Sequence, residues 1–276
     1  MPSGNAKVEV MSNNGKKKSS PLLTIGIMIC LAVIAVSGGF LAKNMLEYRQ
    51  SQKEYESLRQ YISANTEDST EEVVVDASSD TKEEKKEVIK APISVDFASL
   101  KEVNKDVVGW IYIKSLGISY PVMHGEDNDF YLHHTTDGTY NKAGSIFVEE
   151  LNSGNFEDPN TIIYGHNMWD KSMFSSLQLM IDDETKREPP EFWILTPEGD
   201  YKYEIFSMKV TLPETEVYTI FDGRDAKFVD WAEKMKNESE VDMGSFTFDK
   251  DDRIVTLSTC TRNHTNRTVI QGVRVN

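Results

Sequence analysis

Cysteine is scarce in this chain of 276 residues: only Cys30 and Cys260 occur. No Cys/His spacing of the zinc-binding kind is present, which excludes a zinc-built module. Cations are also in short supply, with 30 Lys and Arg against 45 Asp and Glu and a formal net charge of −15. Nonspecific nucleic-acid binding relies on clustered Lys and Arg against phosphates, so that class of function is excluded as well. There is no internal repeat.

Charge is missing altogether from residues 19–42, SSPLLTIGIMICLAVIAVSGGFLA. At about 1.5 Å per residue, a helix of that length crosses a hydrocarbon core of about 30 Å. Lys16, Lys17 and Lys18 precede it, so the positive-inside rule predicts residues 1–18 in the cytoplasm and everything after the anchor outside. The competing reading is a cleaved signal peptide. The apolar run is long for one, and a charged helical pattern continues straight out of it. With Cys30 in the membrane, no disulfide to Cys260 can form, and the exported part carries one thiol. A solitary thiol outside the cell is a liability unless its chemistry is used.

Residues 43–62 carry Tyr48, Tyr55, Leu58 and Ile62 at three- and four-residue spacing, which predicts a helical stalk with a narrow apolar stripe. Residues 63–90 contain no aromatic and are rich in Ser, Thr, Asp, Glu and Lys, a composition that predicts a solvated tether. Much of the acidity lies there. From 91 to 276 the texture changes. Eight short β-rich runs alternate with turn signals, at 109–113, 118–123, 143–148, 160–165, 191–195, 201–210, 253–259 and 268–275. That pattern predicts a mainly β fold, a closed or nearly closed eight-stranded barrel with peripheral helices at 171–181 and 225–237.

Strand alternation groups Val255, Leu257 and Thr259 on one face and Thr256, Ser258 and Cys260 on the other. The apolar pair belongs to the core, so Cys260 is expected on the more polar, accessible face. A buried, inert cysteine is the commoner case, but the parity and the solitary thiol favour a nucleophile. A thiol that attacks a carbonyl needs a base or a positive field, and a donor for the oxyanion. Of five histidines, His166 follows a buried-looking strand in TIIYGHNM and is placed on a rim. His264 is near Cys260 in sequence only. Arg267 opens the last strand, and the short connection of residues 261–266 predicts antiparallel pairing that returns it to the cysteine. Arg262, in the connection itself, remains a rival.

TLSTC followed by an arginine at the start of the next apolar strand, with YGHN upstream, resembles the sortases, the cysteine transpeptidases of Gram-positive cell surfaces. NTIIYGHNMWDKSMFSSLQ, GWIYIKSLGISYPVMHGEDNDFYLHH and a helix-bearing insert at about 212–245 resemble class B. The resemblance implies a sortase-type barrel in which Cys260 is the nucleophile, His166 the acid/base group and Arg267 the arginine beside the thioester. It implies Ser258 as a groove-lining serine, and Asn128, Leu132 and Tyr218 as positions in the substrate pocket. No metal or other cofactor is implied. The implied partners are surface proteins with a C-terminal sorting signal cleaved after Thr, and an amine on a cell-wall precursor or pilin that resolves the thioester. A mainly hydrolytic cysteine peptidase and a noncatalytic barrel adhesin are the alternatives. Leu212-Pro213-Glu214-Thr215 reads like the core of a sorting signal, but an apolar segment and basic tail do not follow it, so it is read as a loop.

Overall fold

The structure, a computed structural model, describes residues 21–65, 90–260 and 265–276, apart from the side chains of Leu23, Thr24 and Cys260. The elements in chain order are α1 (Pro21–Leu58), β1 (Ile62–Ala64), β2 (Ile93–Val95), α2 (Phe97–Val103), β3 (Val107–Ile113), β4 (Ile118–Met123), α3 (Phe130–His133), β5 (Ile146–Val148) and β6 (Asn160–Tyr164). They continue with α4 (Gln178–Asp182), β7 (Glu191–Leu195), β8 (Asp200–Thr211), α5 (Ala226–Asn237), β9 (Ile254–Cys260) and β10 (Arg267–Arg274).

The chain divides into two units, one ending at Leu46 and one running from Glu47 to Asn276. In the first, α1 is long and apolar enough to cross a membrane, and its side chains, among them Met28, Ile34, Val36 and Phe40, are exposed. The second unit is built on a closed barrel in the order β10-β8-β7-β3-β4-β5-β6-β9. The β9–β10 pair closes the circle. The β4–β5 and β6–β9 pairs are parallel, and the remaining neighbours are antiparallel. All eight β-rich runs become barrel strands, with ends that move by up to three residues.

The core forms two layers. Trp110, Ile111, Val122, Ile146, Ile163, Leu257 and Ile270 belong to the larger cluster. Ile254, Phe206 and Val269, on the other face of β8–β10, pack under Phe228, Trp231 and Met235 of α5. Each such side chain removed from water contributes about 1.5–3 kcal/mol before the entropy cost of ordering it. The second layer explains why both faces of β9 are covered. Thr256 and Ser258, expected on an accessible face, are 0 % and 1 % exposed. The helix α5 starts where Asp225 accepts hydrogen bonds from the backbone N–H groups of Lys227 and Phe228, a side-chain cap of the usual kind.

Two local expectations change. The helix expected over 171–181 shrinks to α4, because Lys171 (φ 65°) and Met173 (φ 56°) adopt left-handed backbone. Asp170 also draws Ser172 into local bonds, Oδ1 accepting from its N–H and its hydroxyl at 3.1 and 2.6 Å. The stalk is the second change. From Glu47 onward, α1 packs on the barrel rather than standing free. Tyr55 and Leu58 are buried in the main cluster, and the Tyr55 hydroxyl donates to the Gly144 carbonyl at 2.6 Å. The stripe of Tyr48, Tyr55, Leu58 and Ile62 is therefore a docking face. Most of the tether, residues 66–89, lies outside the described residues. Its flanks are joined by the antiparallel β1–β2 pair and by Asn65, whose N–H donates to the Pro92 carbonyl.

Candidate active site

β9 lies between β6, which runs parallel to it, and β10, which runs antiparallel. On the β10 side, Arg267 and Cys260 are direct Cα partners. On the β6 side, Tyr164 is level with Ser258, and the ladder continues one residue further as the Gly165 N–H donates to the Ser258 carbonyl at 3.1 Å. His166 thus leaves the end of β6 as Cys260 ends β9, on neighbouring lines of chain about 4.8 Å apart. The backbone brings three residues of distant sequence positions to one rim of the barrel. Arg262 and His264 lie outside the described residues.

The imidazole of His166 is half-buried, with Nε2 2.8 Å from the backbone oxygen of Leu132. A carbonyl can only accept, so Nε2 is the donor in this contact and carries a proton. The backbone oxygen of His166 accepts from the Phe174 N–H at 3.0 Å, which turns the chain back after the histidine. Gly165 is required for close approach. A Cβ there would stand 2.5 Å from Ile146 Cδ1 and 2.7 Å from the Phe174 ring.

Around this rim lies a polar network. The Ser258 and Tyr218 hydroxyls are 2.8 Å apart. The Tyr218 ring stacks on Tyr164, with centroids 6.3 Å apart. The Tyr164 hydroxyl donates to Glu149 Oε2 at 2.8 Å, and Asn128 Nδ2 donates to Glu149 Oε1 at 2.7 Å. Burial, and then the negative charge of Glu149, push the Tyr164 phenol far above its ordinary value, while Arg267 pulls the other way. Arg267 Nη1 donates to the Asn266 carbonyl at 3.2 Å. Tyr218 is held by Asn160, whose buried Nδ2 donates to the carbonyls of Val217 and Thr219 at 3.3 and 3.0 Å. Asn160 Oδ1 accepts from the Thr256 hydroxyl at 2.7 Å, and Gln271 donates to that hydroxyl at 3.1 Å.

The structure thus connects Asn128, Tyr218 and Ser258 through a partly buried network of hydrogen bonds and one ring stack, while Leu132 meets His166 through its carbonyl. Glu149, Tyr164 and Asn160 were not singled out from the sequence. Tyr164 carried a signal, since strand alternation aims it the same way as a residue two positions later. Among the described residues, no group of three or more His, Cys, Asp or Glu side chains is arranged to hold a metal ion.

A family model described as the sortase domain matches residues 111–275. The chain belongs to the sortase family. Sortase B of Listeria monocytogenes is 37% identical over 180 residues, covering 64% of this chain and 73% of that protein. Sortase B of Staphylococcus aureus is 27% identical over 239 residues, covering 86% of this chain and 89% of that protein. Among solved structures, sortase B from Bacillus anthracis in complex with AAEK1 aligns over 84% of this chain and 99% of its own, with a TM-score of 0.65 and 29% identity. A Staphylococcus aureus sortase B–substrate complex aligns with a TM-score of 0.60 and 28% identity, over 65% of this chain and 84% of that one. These relatives make the chain a class B sortase. Sortases are cysteine transpeptidases, and this sortase carries the eight-stranded barrel of its structural neighbours together with one N-terminal helix that could span a membrane.

Proposed function

We propose that this sortase cleaves a C-terminal sorting signal after Thr and transfers the acyl group to an amine, with Cys260 as nucleophile, His166 as acid/base and Arg267 as oxyanion donor. The observation that carries the reading is the register of β9: Arg267 pairs with Cys260 across one edge, and the segment bearing His166 leaves beside the other.

The Cys260 thiolate adds to the threonine carbonyl carbon, and the electron pair of the C=O bond moves to oxygen. The Arg267 guanidinium stabilises that oxyanion. When the tetrahedral species collapses, the C–N bond breaks, and the leaving amine takes a proton from His166. A thioester remains. The incoming amine attacks it, gives a proton back to His166, and a second collapse forms the new amide and returns the thiolate. Water in place of the amine gives hydrolysis. Tyr218, Asn128 and Leu132 form the wall against which the signal lies, and Ser258, buried behind it, holds the Tyr218 hydroxyl. The acceptor is an amine of a cell-wall precursor or a pilin lysine.

The proposed layout has residues 1–18 in the cytoplasm, 19–42 as the anchor, 43–62 as the helical connection, 63–90 as an acidic linker and 91–276 as the catalytic domain outside the membrane. The test is to incubate the full chain in detergent with a panel of five-residue sorting motifs, NPxTN-like and LPxTG-like, with and without a small amine. Ligated product that grows with amine concentration supports transpeptidation. Hydrolysed product alone, at every amine concentration, identifies a peptidase and overturns it.

A further inference from the structure

Glu149 is a buried carboxylate, 8 % exposed, for which the proposed chemistry has no step. It follows the three-residue strand β5, and its two oxygens are held by neutral donors, the amide of Asn128 and the hydroxyl of Tyr164. Such a carboxylate is costly to bury, and it persists where its hydrogen bonds fix something else. Both donors lead to His166. Asn128 belongs to the loop that enters α3, and Leu132 in α3 supplies the carbonyl that binds His166 Nε2. That loop has a second tie, since the Glu150 N–H donates to Asn128 Oδ1 at 2.9 Å and the Asn128 N–H donates to Glu150 Oε2 at 3.1 Å. Tyr164 is the last residue of β6, two positions before His166 on the same line of chain.

We propose that Glu149 is a positioning residue for His166, fixing the imidazole from two sides. One route runs through Asn128 to the Leu132 carbonyl and sets which nitrogen carries the proton. The other runs through Tyr164 and sets where the strand delivers the ring. The proposal rests on His166 being the acid/base group.

The experiment measures kcat and KM of the full chain in detergent, with the sorting peptide turned over fastest, for the wild type, E149A, E149Q, N128A, Y164F and H166A, well below each melting midpoint. Imidazole nitrogen NMR of the substrate-free protein reports the His166 tautomer independently of turnover. Glutamine keeps an oxygen for Asn128 and offers its amide to the Tyr164 oxygen. The expected result is a kcat at least tenfold lower in E149A, with KM within twofold and the Nε2–H signature lost or averaged. E149Q should recover to within threefold, and N128A and Y164F should each show a smaller loss. A carboxylate that only stabilised the fold would lower the melting point of E149A and leave its kcat and tautomer unchanged; that result overturns the proposal, as does a loss confined to KM. Wild-type turnover in H166A would instead overturn the acid/base reading, and the NMR signature would still decide whether Glu149 orients the ring.

Discussion

Arg267 stands directly opposite Cys260 in the antiparallel pairing of β9 and β10. The pairing explains how a six-residue connection places a cation at the proposed nucleophile, and it gives the first prediction. Replacing Arg267 with Ala removes the proposed oxyanion donor and should lower kcat by about 10²–10³-fold, or about 2.7–4 kcal/mol of transition-state stabilisation. Lysine keeps the charge but not the planar fork, so R267K should recover only part of the loss. Steady-state kinetics with a turned-over peptide provides the check.

Asn160 is 1 % exposed and joins β9 to the turn that carries Tyr218. Asn160→Ala strands buried carbonyls and a hydroxyl, a cost of about 2–3 kcal/mol. That corresponds to roughly 5–10 °C in melting midpoint for a domain of this size. Because Tyr218 loses its support, KM for the peptide should rise more than kcat falls. A melting curve and a substrate titration separate the two effects.

Glu157 binds Arg253 Nε at 2.6 Å and Arg274 Nη1 at 2.8 Å, joining the chain before β6 to β10 and the turn before β9. Burial alone would raise its carboxyl pKa, but these hydrogen bonds and charges outweigh it and hold the pKa below the usual value. A depressed pKa means stability that is fully present above the unfolded value of about 4.3 and lost as pH falls through the folded one. Glu157→Gln should therefore melt earlier than wild type at pH 7, by about 1 kcal/mol because the pair is partly solvated. The difference should shrink as pH falls below the unfolded carboxylate value and vanish once the folded carboxyl is protonated. Melting curves across pH 3–7 test this.

Gly165 has no room for a side chain, with Ile146 and Phe174 against its Cα. Gly165→Ala should cost about 1–3 kcal/mol in stability through overpacking. It should also displace His166, lowering kcat well beyond the unfolded fraction measured at the same temperature.

The sequence made the barrel legible because each strand is a β-branched or aromatic run closed by turn residues. EFWIL and ISYPVM match β7 and β4 residue for residue. Arg267 was legible because a short connection between strands leaves little choice of pairing. Glu149 was not, since its meaning depends on Asn128, 21 residues earlier, and on a strand contributed from further along the chain. The docking of Tyr55 and Leu58 was hidden for a similar reason. An apolar stripe on a helix shows that something is covered, and only the folded barrel shows by what. Parity on β9 indicated two faces but could not show that α5 supplies a second apolar layer over one of them.

The most direct measurement is intact-protein and peptide-level mass spectrometry of the full chain mixed with a sorting peptide in the absence of amine. The account predicts an acyl adduct whose mass equals the peptide up to and including its threonine, located on Cys260, released by added amine and absent in Cys260→Ala. An adduct on another residue, or product formation by Cys260→Ala at the wild-type rate, would contradict it.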